Sequence, residues 1–174
     1  MIQKVKGKKY LINGGLGMIG STIAKILVEA KAEVTIVDAM IKPFGANLFN
    51  IEEIKDRVKT RFFDIKDTEK MKKEIIGKDV ILNLAGQVAH NDSIVNPLYD
   101  AKMNYLYQLN IMECIRQVNP NAKTVFSGSR LQFGKIENVP VDESQASCPE
   151  TPYALHKQAT ENMYQFYNRQ YDID

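Results

Sequence analysis

The chain has 174 residues, of which 44% are hydrophobic and 25% are charged, and its formal net charge is +2. These values are typical of one soluble globular domain and give no reason to expect a nucleic-acid partner. No apolar run approaches the length of a membrane span, the start of the chain has no apolar signal region, and two cysteines are too few for a metal site. We therefore expect a cytoplasmic protein with reduced thiols, no metal and no membrane contact.

Residues 10–21 predict a strand, a tight turn and the first turn of a helix. A short apolar run is followed by Gly14, Gly17 and Gly20 in the spacing G-x-x-G-x-x-G, and apolar residues at helical spacing then resume. Gly14 can adopt the positive φ of the turn, Gly17 lets a phosphate approach the backbone, and Gly20 lets the helix pack closely on the strand. The pattern indicates a pyrophosphate site at a helix N-terminus.

Asp38 ends the next predicted strand, over 33–38, and it is the second sign of a dinucleotide site. A carboxylate at this place accepts hydrogen bonds from ribose hydroxyls and repels a 2′-phosphate, which favours NAD over NADP. Lys42 lies four residues further on and is able to reach a phosphate, so it is the residue that argues for NADP. The other interpretation of Asp38 is an ordinary aspartate that caps the strand.

The remaining elements alternate in the way that predicts an α/β fold. The order predicted is a helix over 47–58, a strand over 61–64, a helix over 66–76, a strand over 79–86, a helix over 97–118, a strand over 123–127, a long irregular loop to residue 152, and a helix over 153–171. Right-handed crossovers then give a Rossmann-type doubly wound parallel sheet of five strands, in the order 3-2-1-4-5 with helices on both faces. Ligands gather at the carboxyl ends of the strands near the switch point of such a sheet.

Tyr153 and Lys157 lie one turn apart on the same face of the last predicted helix. A lysine ammonium near a phenol, helped by a positive nicotinamide, is expected to lower the pKa of the tyrosine toward neutrality. Such a tyrosine takes a proton from a substrate hydroxyl while the adjacent carbon gives hydride to the cofactor. Ser127 and Ser129 follow the fifth strand and supply hydroxyls there. Taken alone, Y-x-x-x-K is more often a surface pair, but the glycine loop and Asp38 reverse that preference.

Together these motifs resemble the extended short-chain dehydrogenase/reductases, in the group of NAD-dependent nucleotide-sugar epimerases and dehydratases. The resemblance covers nearly the whole chain. The residues that carry it are 13–21, Asp38, Asp64 with Ile65, 83–87, Asn104, 126–129 with Phe133 and Gly134, and Pro152 with Tyr153, Lys157 and Glu161.

The resemblance implies a role for each matching residue. Ser129 orients the substrate, Tyr153 is the acid/base, and Lys157 binds the ribose beside it. Asp64 and Ile65 border the adenine, and Asn104 supports the site from the neighbouring helix. The implied cofactor-binding set is Gly14, Gly17, Met18, Ile19, Gly20, Asp38, Asp64, Ile65, Leu84, Ala85, Gln87, Asn104, Ser127, Tyr153 and Lys157, with Leu84, Ala85 and Gln87 along the dinucleotide channel.

The implied activity is NAD-dependent epimerisation of a nucleotide-sugar, in which a sugar hydroxyl is transiently oxidised. Family members that remove water carry an Asp-Glu pair after the strand-end hydroxyl residue, whereas Arg130 and Leu131 follow Ser129 here. This difference argues against a 4,6-dehydratase. A reductase or decarboxylase of the same family, or a non-catalytic NAD-binding module, are the alternatives.

Family members continue from the last helix into a smaller substrate-binding domain, which this chain lacks. We therefore expect residues 1–174 to be the NAD-binding part, to bind NAD weakly and to turn over no sugar alone. The resemblance also implies a homodimer through the helices 97–118 and 153–171, provided that their outer faces carry exposed apolar residues.

Two smaller predictions concern these helices. The apolar stripe of Met103, Leu106, Leu109 and Met112 is expected to lie in the core. His156 is isolated in sequence, and we expect it to face solvent or the flank of the helix without a metal role.

Overall fold

Five parallel strands form one sheet in the order β3-β2-β1-β4-β5 in the computed structural model, which describes residues 4–136 and 139–174. The strands are β1 Lys9–Asn13, β2 Glu33–Asp38, β3 Val58–Phe62, β4 Val80–Asn83 and β5 Lys123–Phe126. The predicted doubly wound sheet and its strand order are confirmed. The chain leaves β1 for β2 on one side and later returns to β4 on the other, so the switch point lies at the carboxyl ends of β1 and β4.

Helices cover both faces of the sheet. The α-helices are α1 Met18–Glu29, α2 Thr68–Ile75, α3 His90–Val95, α4 Pro97–Ala101, α5 Tyr107–Val118 and α6 Pro152–Tyr171. Side chains of β1 alternate between two cores, because successive residues of a strand point to opposite faces. Ile12 packs with α1 on one face, whereas Leu11 packs with α2, α5 and α6 on the other.

The predicted helix over 47–58 is a 3₁₀ helix, Leu48–Arg57, which packs against α1. Asn47 caps it by accepting a hydrogen bond from the Phe49 backbone N–H at 2.9 Å. Ile51 and Ile54 are the two residues of this helix that are buried. The apolar spacing therefore marked a helical segment correctly but did not distinguish its tighter winding.

Three other boundaries differ from the prediction. The third strand is Val58–Phe62, so Asp64 lies beyond the strand instead of ending it, and α3 was not predicted because it has only six residues. The segment after β5, predicted to be irregular, contains a 3₁₀ turn at Arg130–Phe133. Short elements of this kind depend on local caps and tertiary contacts more than on periodicity.

The long helix predicted over 97–118 consists of α4, a π-helical turn at Lys102–Leu106 and α5. A π turn inserts one residue and rotates the faces of the helix on either side of it. The apolar stripe therefore does not stay in the core. Met103 and Met112 are buried, but Leu106 is 49% exposed, so the prediction for Leu106 is wrong.

None of the described helices combines the length and the apolar character that a bilayer crossing requires. No cluster of three or more His, Cys, Asp or Glu side chains in the described part of the chain is placed to hold a metal ion.

Candidate functional site

The glycine loop connects β1 to α1 at the switch point of the sheet. Gly14 has φ of +77°, and a Cβ there would lie 2.8 Å from the backbone nitrogen of Ala85 after β4. A Cβ on Gly20 would overlap the carbonyl oxygen of Gly14. Both positions therefore require glycine, the first for its conformation and its neighbour and the second for close packing of helix and loop.

The N-terminus of α1 is left without a capping side chain. Its N-cap is Gly17, no side chain accepts a hydrogen bond from the first turn, and that turn has no acidic residue. A Cβ on Gly17 would have only an ordinary contact, at 3.4 Å from the Gly14 carbonyl oxygen. The backbone N–H groups and the positive end of the helix dipole are thus available to an anion. Met18 and Ile19, in the first turn of α1, have exposed apolar side chains, so the polar groups that they can offer to an anion are those of their backbone.

Asp38 lies at the end of β2 with only 8% of its surface exposed. Its carboxylate accepts hydrogen bonds from the backbone N–H groups of Leu16, at 3.0 Å, and Met40, at 2.8 Å. These bonds fix the carboxylate beside the glycine loop and also give it the structural role of a capping group. Both interpretations of Asp38 from the sequence are therefore compatible, because a carboxylate has lone pairs beyond the two used here.

A cleft with a cavity volume of about 140 Å³ opens between the glycine loop, the end of β2 and the end of β4. Seven residues of the predicted cofactor set line it: Gly14, Gly17, Asp38, Asp64, Ile65, Leu84 and Ala85. Lining residues that sequence reasoning missed include Ile41, Phe44, Gly45 and Ala46 in the segment after β2, together with Gly86, Val88 and Met103. In the sequence, the segment after Asp38 is recognisable only as a loop. Its proximity to Asp38 along the chain is the signal that could have placed it at the cleft.

A second cleft adjoins the first across the side chain of Phe44. Gln87 and Lys42 line this second cleft and not the first, together with Asp92, Asn96 and Tyr99. The Oε1 atom of Gln87 is buried without a hydrogen-bond partner in the described part of the chain, while its Nε2 donates to the Ala89 carbonyl oxygen at 2.6 Å. Gln87 is thus placed at the side of the predicted channel.

Tyr153 and Lys157 project together from α6 toward the end of β5. The Nζ of Lys157 lies 5.9 Å from the centroid of the Tyr153 ring and 4.8 Å from that of Phe126. It donates a hydrogen bond to the Ser127 carbonyl oxygen at 3.2 Å. Both side chains are buried, so the predicted pair is not a surface pair.

Burial dominates the protonation of this pair. It lowers the pKa of Lys157 to about 8, against the charge of Asp100, which raises it. Burial also raises the pKa of Tyr153 above its ordinary value, while the hydroxyl of Ser129 opposes that shift. The lowered pKa of Tyr153 stays a prediction, because it includes the positive charge of a nicotinamide. In the structure, desolvation of the phenolate is the largest influence on Tyr153 and acts in the opposite direction.

Ser129 is positioned by the 3₁₀ turn that follows β5. Its hydroxyl accepts a hydrogen bond from the Leu131 backbone N–H at 3.3 Å, and the Gln132 side chain accepts one from the Ser129 backbone N–H at 2.6 Å. This reciprocal arrangement is a capping box. Arg130 begins the turn with an exposed side chain, so the residue after Ser129 offers no carboxylate to the site.

Asn104 is fully buried in the π turn, behind Gly86. A Cβ on Gly86 would lie 2.6 Å from the Oδ1 of Asn104 and 3.6 Å from the Nζ of Lys157. Because Gly86 also lines the cleft, its missing side chain leaves a space that adjoins the glycine-loop region on one side and Lys157 on the other. The cleft and the Tyr153–Lys157 pair are thus adjacent parts of one site.

His156 is not isolated, and the expectation that it faces solvent is wrong, whereas the alternative place on the flank of its helix is compatible with the structure. Its Nδ1 lies 2.6 Å from the Oδ2 of Asp100, and 19% of its side chain is exposed. Neither residue had been assigned a partner from the sequence, because 56 residues separate them and only the packing of α4 on α6 brings them together.

Comparison with known proteins matches the chain to one family model and to relatives that are about twice as long. The family model described as GDP-mannose 4,6 dehydratase matches residues 11–174. A provisionally named UDP-glucose 4-epimerase of Methanocaldococcus jannaschii is 32% identical over 169 residues, which are 94% of this chain and 52% of that protein.

Two solved structures are similar in fold. The UDP-N-acetylglucosamine 4-epimerase of Methanobrevibacter ruminantium M1, solved with UDP-N-acetylmuramic acid, has a TM-score of 0.88 and 27% identity, and the match covers 97% of this chain and 53% of that one. The UDP-glucose 4-epimerase of Brucella ovis, solved with NAD, has a TM-score of 0.86 at 21% identity, covering 96% and 50%. The chain spans about half the length of the relatives that it matches.

Proposed function

The chain belongs to the GDP-mannose 4,6 dehydratase family, and we propose that it is the NAD-binding part of a nucleotide-sugar 4-epimerase. The observation that carries the proposal is the junction at Gly86. There, a cleft lined by the glycine loop and Asp38 adjoins the space beside Lys157. A dinucleotide held along the cleft would therefore adjoin Tyr153 and Lys157.

The residues of the cleft fit NAD. The uncapped first turn of α1 suits a pyrophosphate, and the carboxylate of Asp38 suits the hydroxyls of an adenosine ribose while repelling a 2′-phosphate. Lys42 lies in the neighbouring cleft, which weakens the case for NADP. When bound, NAD⁺ supplies the chemistry of accepting a hydride from the sugar carbon and returning it.

The chain's own residues supply proton transfer and positioning. Tyr153 in its phenolate form accepts the proton of the sugar hydroxyl and becomes a neutral phenol, and Ser129, which faces the Tyr153 hydroxyl, orients the sugar oxygen. Lys157 places a positive charge near the Tyr153 ring, and this charge favours the phenolate form of Tyr153 over the phenol. Burial raises the pKa of Tyr153, so the positive charges around it have to offset the cost of forming the phenolate.

Epimerisation fits the site better than dehydration. Removal of water across the sugar ring needs a second acid/base pair, and the residues after Ser129 are the exposed Arg130 and Leu131. A reductase or decarboxylase of the family differs from an epimerase in that it changes the amount of NADH. Product analysis with a complete epimerase chain therefore separates the two, because epimerisation leaves NADH unchanged.

The relatives' greater length supports the proposal that the contacts which select the sugar lie outside residues 1–174. We propose that this chain binds NAD⁺ weakly, and that turnover of a nucleotide-sugar needs a substrate-binding domain. Measurable epimerisation of UDP-hexoses by the 174 residues alone would contradict this proposal.

Calorimetric titration with NAD⁺ and then NADP⁺ tests the cofactor proposal. We expect NAD⁺ to bind more tightly than NADP⁺, and Asp38→Asn to lose that preference because the carboxylate charge is gone. Asp56→Asn is the matched control, since Asp56 is exposed in the 3₁₀ helix Leu48–Arg57 away from the cleft. Absence of NAD⁺ binding to a folded sample would contradict the proposal that the cofactor site is functional within residues 1–174.

We also propose that the chain forms a homodimer through the 97–118 segment and α6. Apolar side chains are exposed on both helical segments: Leu98 and Leu106 between Pro97 and Val118, and Leu155 and Phe166 on α6. The last two lie on one face of α6, at positions i and i+11. Two such segments from each chain would form a four-helix contact that removes these side chains from water.

A further inference from the structure

A buried carboxylate lies behind the Tyr153–Lys157 pair, and the mechanism above makes no use of it. Asp100 belongs to α4 and is fully buried. One of its oxygens contacts the Nδ1 of His156 at 2.6 Å, and the other accepts a hydrogen bond from the Nδ2 of Asn104 at 2.8 Å. A buried carboxylate is costly unless its oxygens are satisfied, so this arrangement needs an explanation.

Asp100 determines which way the amide of Asn104 points. The NH₂ group of Asn104 donates to Asp100 and to the Gln87 carbonyl oxygen, at 3.1 Å. An ionised carboxylate and a carbonyl accept hydrogen bonds but donate none, so only the NH₂ end can face them. The Oδ1 of Asn104 is consequently directed to the space beside Gly86. It is buried there without a partner in the described part of the chain.

Lys157 borders the same space from the opposite side. Its Nζ lies 3.6 Å from the position that a Cβ on Gly86 would take. The Oδ1 of Asn104 lies 2.6 Å from that same Cβ position. No carboxylate of the described residues forms an ion pair with Lys157, which donates a hydrogen bond to the Ser127 carbonyl oxygen. The hydrogen-bond acceptor of the ammonium therefore carries only a partial charge.

The charges around Lys157 come from three elements. α4 contributes Asp100, and α6 contributes Tyr153 and His156 on either side of Lys157. β5 contributes the ring of Phe126, while the Ser127 carbonyl follows that strand, and neither of these titrates. Asp100 is the one negative charge among them, and it raises the pKa of Lys157 against the effect of burial.

We propose that Asp100 and His156 form a positioning pair, in which Asp100 places a negative charge behind Lys157 and directs the oxygen of Asn104 to it, while His156 holds the Asp100 carboxylate. The pair acts through Lys157 and does not touch the reacting atoms. The proposal rests on the proposed function only for the role of Lys157 beside Tyr153.

The consequence is the charge of Lys157 at neutral pH. With a pKa of about 8, Lys157 is about nine-tenths protonated at pH 7. Without the charge of Asp100, burial lowers that pKa further and the protonated fraction falls. Asp100→Asn also replaces an acceptor with a group that has both a donor and an acceptor, so the amide of Asn104 is no longer restricted to one orientation.

The experiment measures the pKa of Lys157 in the whole chain without any cofactor. The ¹³Cε signals of the ¹³C-lysine-labelled protein are followed with pH, and Lys157→Met identifies the signal. In Asp100→Asn we expect the pKa of Lys157 to fall by about one pH unit, the lower end of the effect of a nearby opposite charge. Asp92→Asn is the control, since Asp92 is an exposed aspartate of the adjacent α3, and it is expected to leave the value unchanged.

His156 is tested by a pair of variants. His156→Ala leaves one oxygen of a buried carboxylate without a partner, which disfavours its charged form, so the pKa of Lys157 is expected to fall as in Asp100→Asn. His156→Asn offers an amide N–H near the position of Nδ1 and is expected to restore most of the wild-type value. A purely structural contact would change the melting temperature in these variants without changing the pKa of Lys157.

An unchanged pKa of Lys157 in a folded Asp100→Asn variant would overturn the proposal. If that variant does not fold, His156→Ala decides, and an unchanged pKa there would overturn it equally. Because no cofactor is present, these outcomes do not depend on whether the chain binds NAD⁺.

Discussion

At the scale of single residues, the three glycines of the loop after β1 are not equivalent. Gly14 and Gly20 are required by the fold, because a Cβ at either position would meet backbone atoms. At Gly17 the nearest atom to an added Cβ is 3.4 Å away, which is an ordinary contact. Packing therefore does not require the glycine at position 17, which agrees with the proposed approach of a pyrophosphate to this residue.

This difference gives a prediction that separates folding from binding. Gly17→Ala is expected to keep the melting temperature and to weaken NAD⁺ binding by about tenfold, or about 1.4 kcal/mol, because the methyl group occupies the approach of the pyrophosphate. Gly20→Ala is the matched variant and is expected to lower the free energy of unfolding by about 1–3 kcal/mol through overpacking. Thermal melting and calorimetry on both variants provide the measurement. Equal loss of stability in the two variants would contradict the assignment.

Lys157 gives a second prediction at this scale, on stability against pH. Burial lowers its pKa from 10.5 to about 8, so the unfolded chain binds more protons than the folded chain between these values. The penalty of the buried charge is fully present below pH 8 and is relieved as the pH rises toward 10.5. The free energy of unfolding of the wild type, relative to Lys157→Met, is therefore expected to rise by on the order of 3 kcal/mol across that window. Urea denaturation at pH 7 and pH 10.5 measures it, and a difference that stays constant would refute the prediction.

At the scale of elements, a part-buried hydrogen bond joins α5 and α6. The Tyr167 hydroxyl donates to Glu113 at 2.6 Å, and Arg116 forms two further hydrogen bonds to the same carboxylate. The hydrogen bonds from Arg116 are the main reason why the pKa of Glu113 is lowered to about 2 from its ordinary value of 4.5. The carboxylate of Glu113 therefore links α5, which follows the π turn that holds Asn104, to α6, which carries Tyr153.

Glu113→Gln is expected to lower the free energy of unfolding at pH 7 by about 1 kcal/mol, a value reduced for the partial exposure of the side chain. The stabilisation by Glu113 is present above pH 4.5 and is lost as the pH falls toward 2, because the folded-state pKa is the lower one. Urea denaturation at pH 7, 5 and 3 follows this loss. Glu52→Gln, which removes an exposed ion pair with Lys55, is the control and is expected to change stability by only a few tenths of a kcal/mol.

At the scale of the whole molecule, the exposed apolar side chains of the 97–118 segment and of α6 lie on the side of the sheet opposite to the 3₁₀ helix Leu48–Arg57. We expect sedimentation velocity to find a dimer at micromolar concentration. Leu106→Asp and Leu155→Asp are expected to shift it to monomer, since each places a charge in the proposed contact. Phe49→Asp, at a more exposed apolar position on the opposite side, is expected to leave the dimer intact. A monomeric wild type would contradict the proposed partner state.

Much of the whole-molecule architecture was predictable because it follows from local patterns. The apolar runs of β1 and β4, the glycine spacing and Asp38 together predicted the parallel sheet, its strand order and the position of the cleft, all of which the structure contains. The predictions that proved wrong involve contacts between distant residues. Leu106 is exposed because a π turn changes the phase of its helix, and His156 is enclosed because α4 packs against α6.

The sequence by itself determined the family, the doubly wound sheet and seven of the residues that line the cleft, because spacing along the chain sets which backbone atoms and side chains meet at the ends of parallel strands. Only the tertiary structure decided the surroundings of Tyr153 and Lys157. Their burial, the raised pKa of Tyr153, and the carboxylate of Asp100 behind Lys157 depend on how helices separated by tens of residues pack together. Desolvation and charge are properties of that packing, and a motif does not carry them.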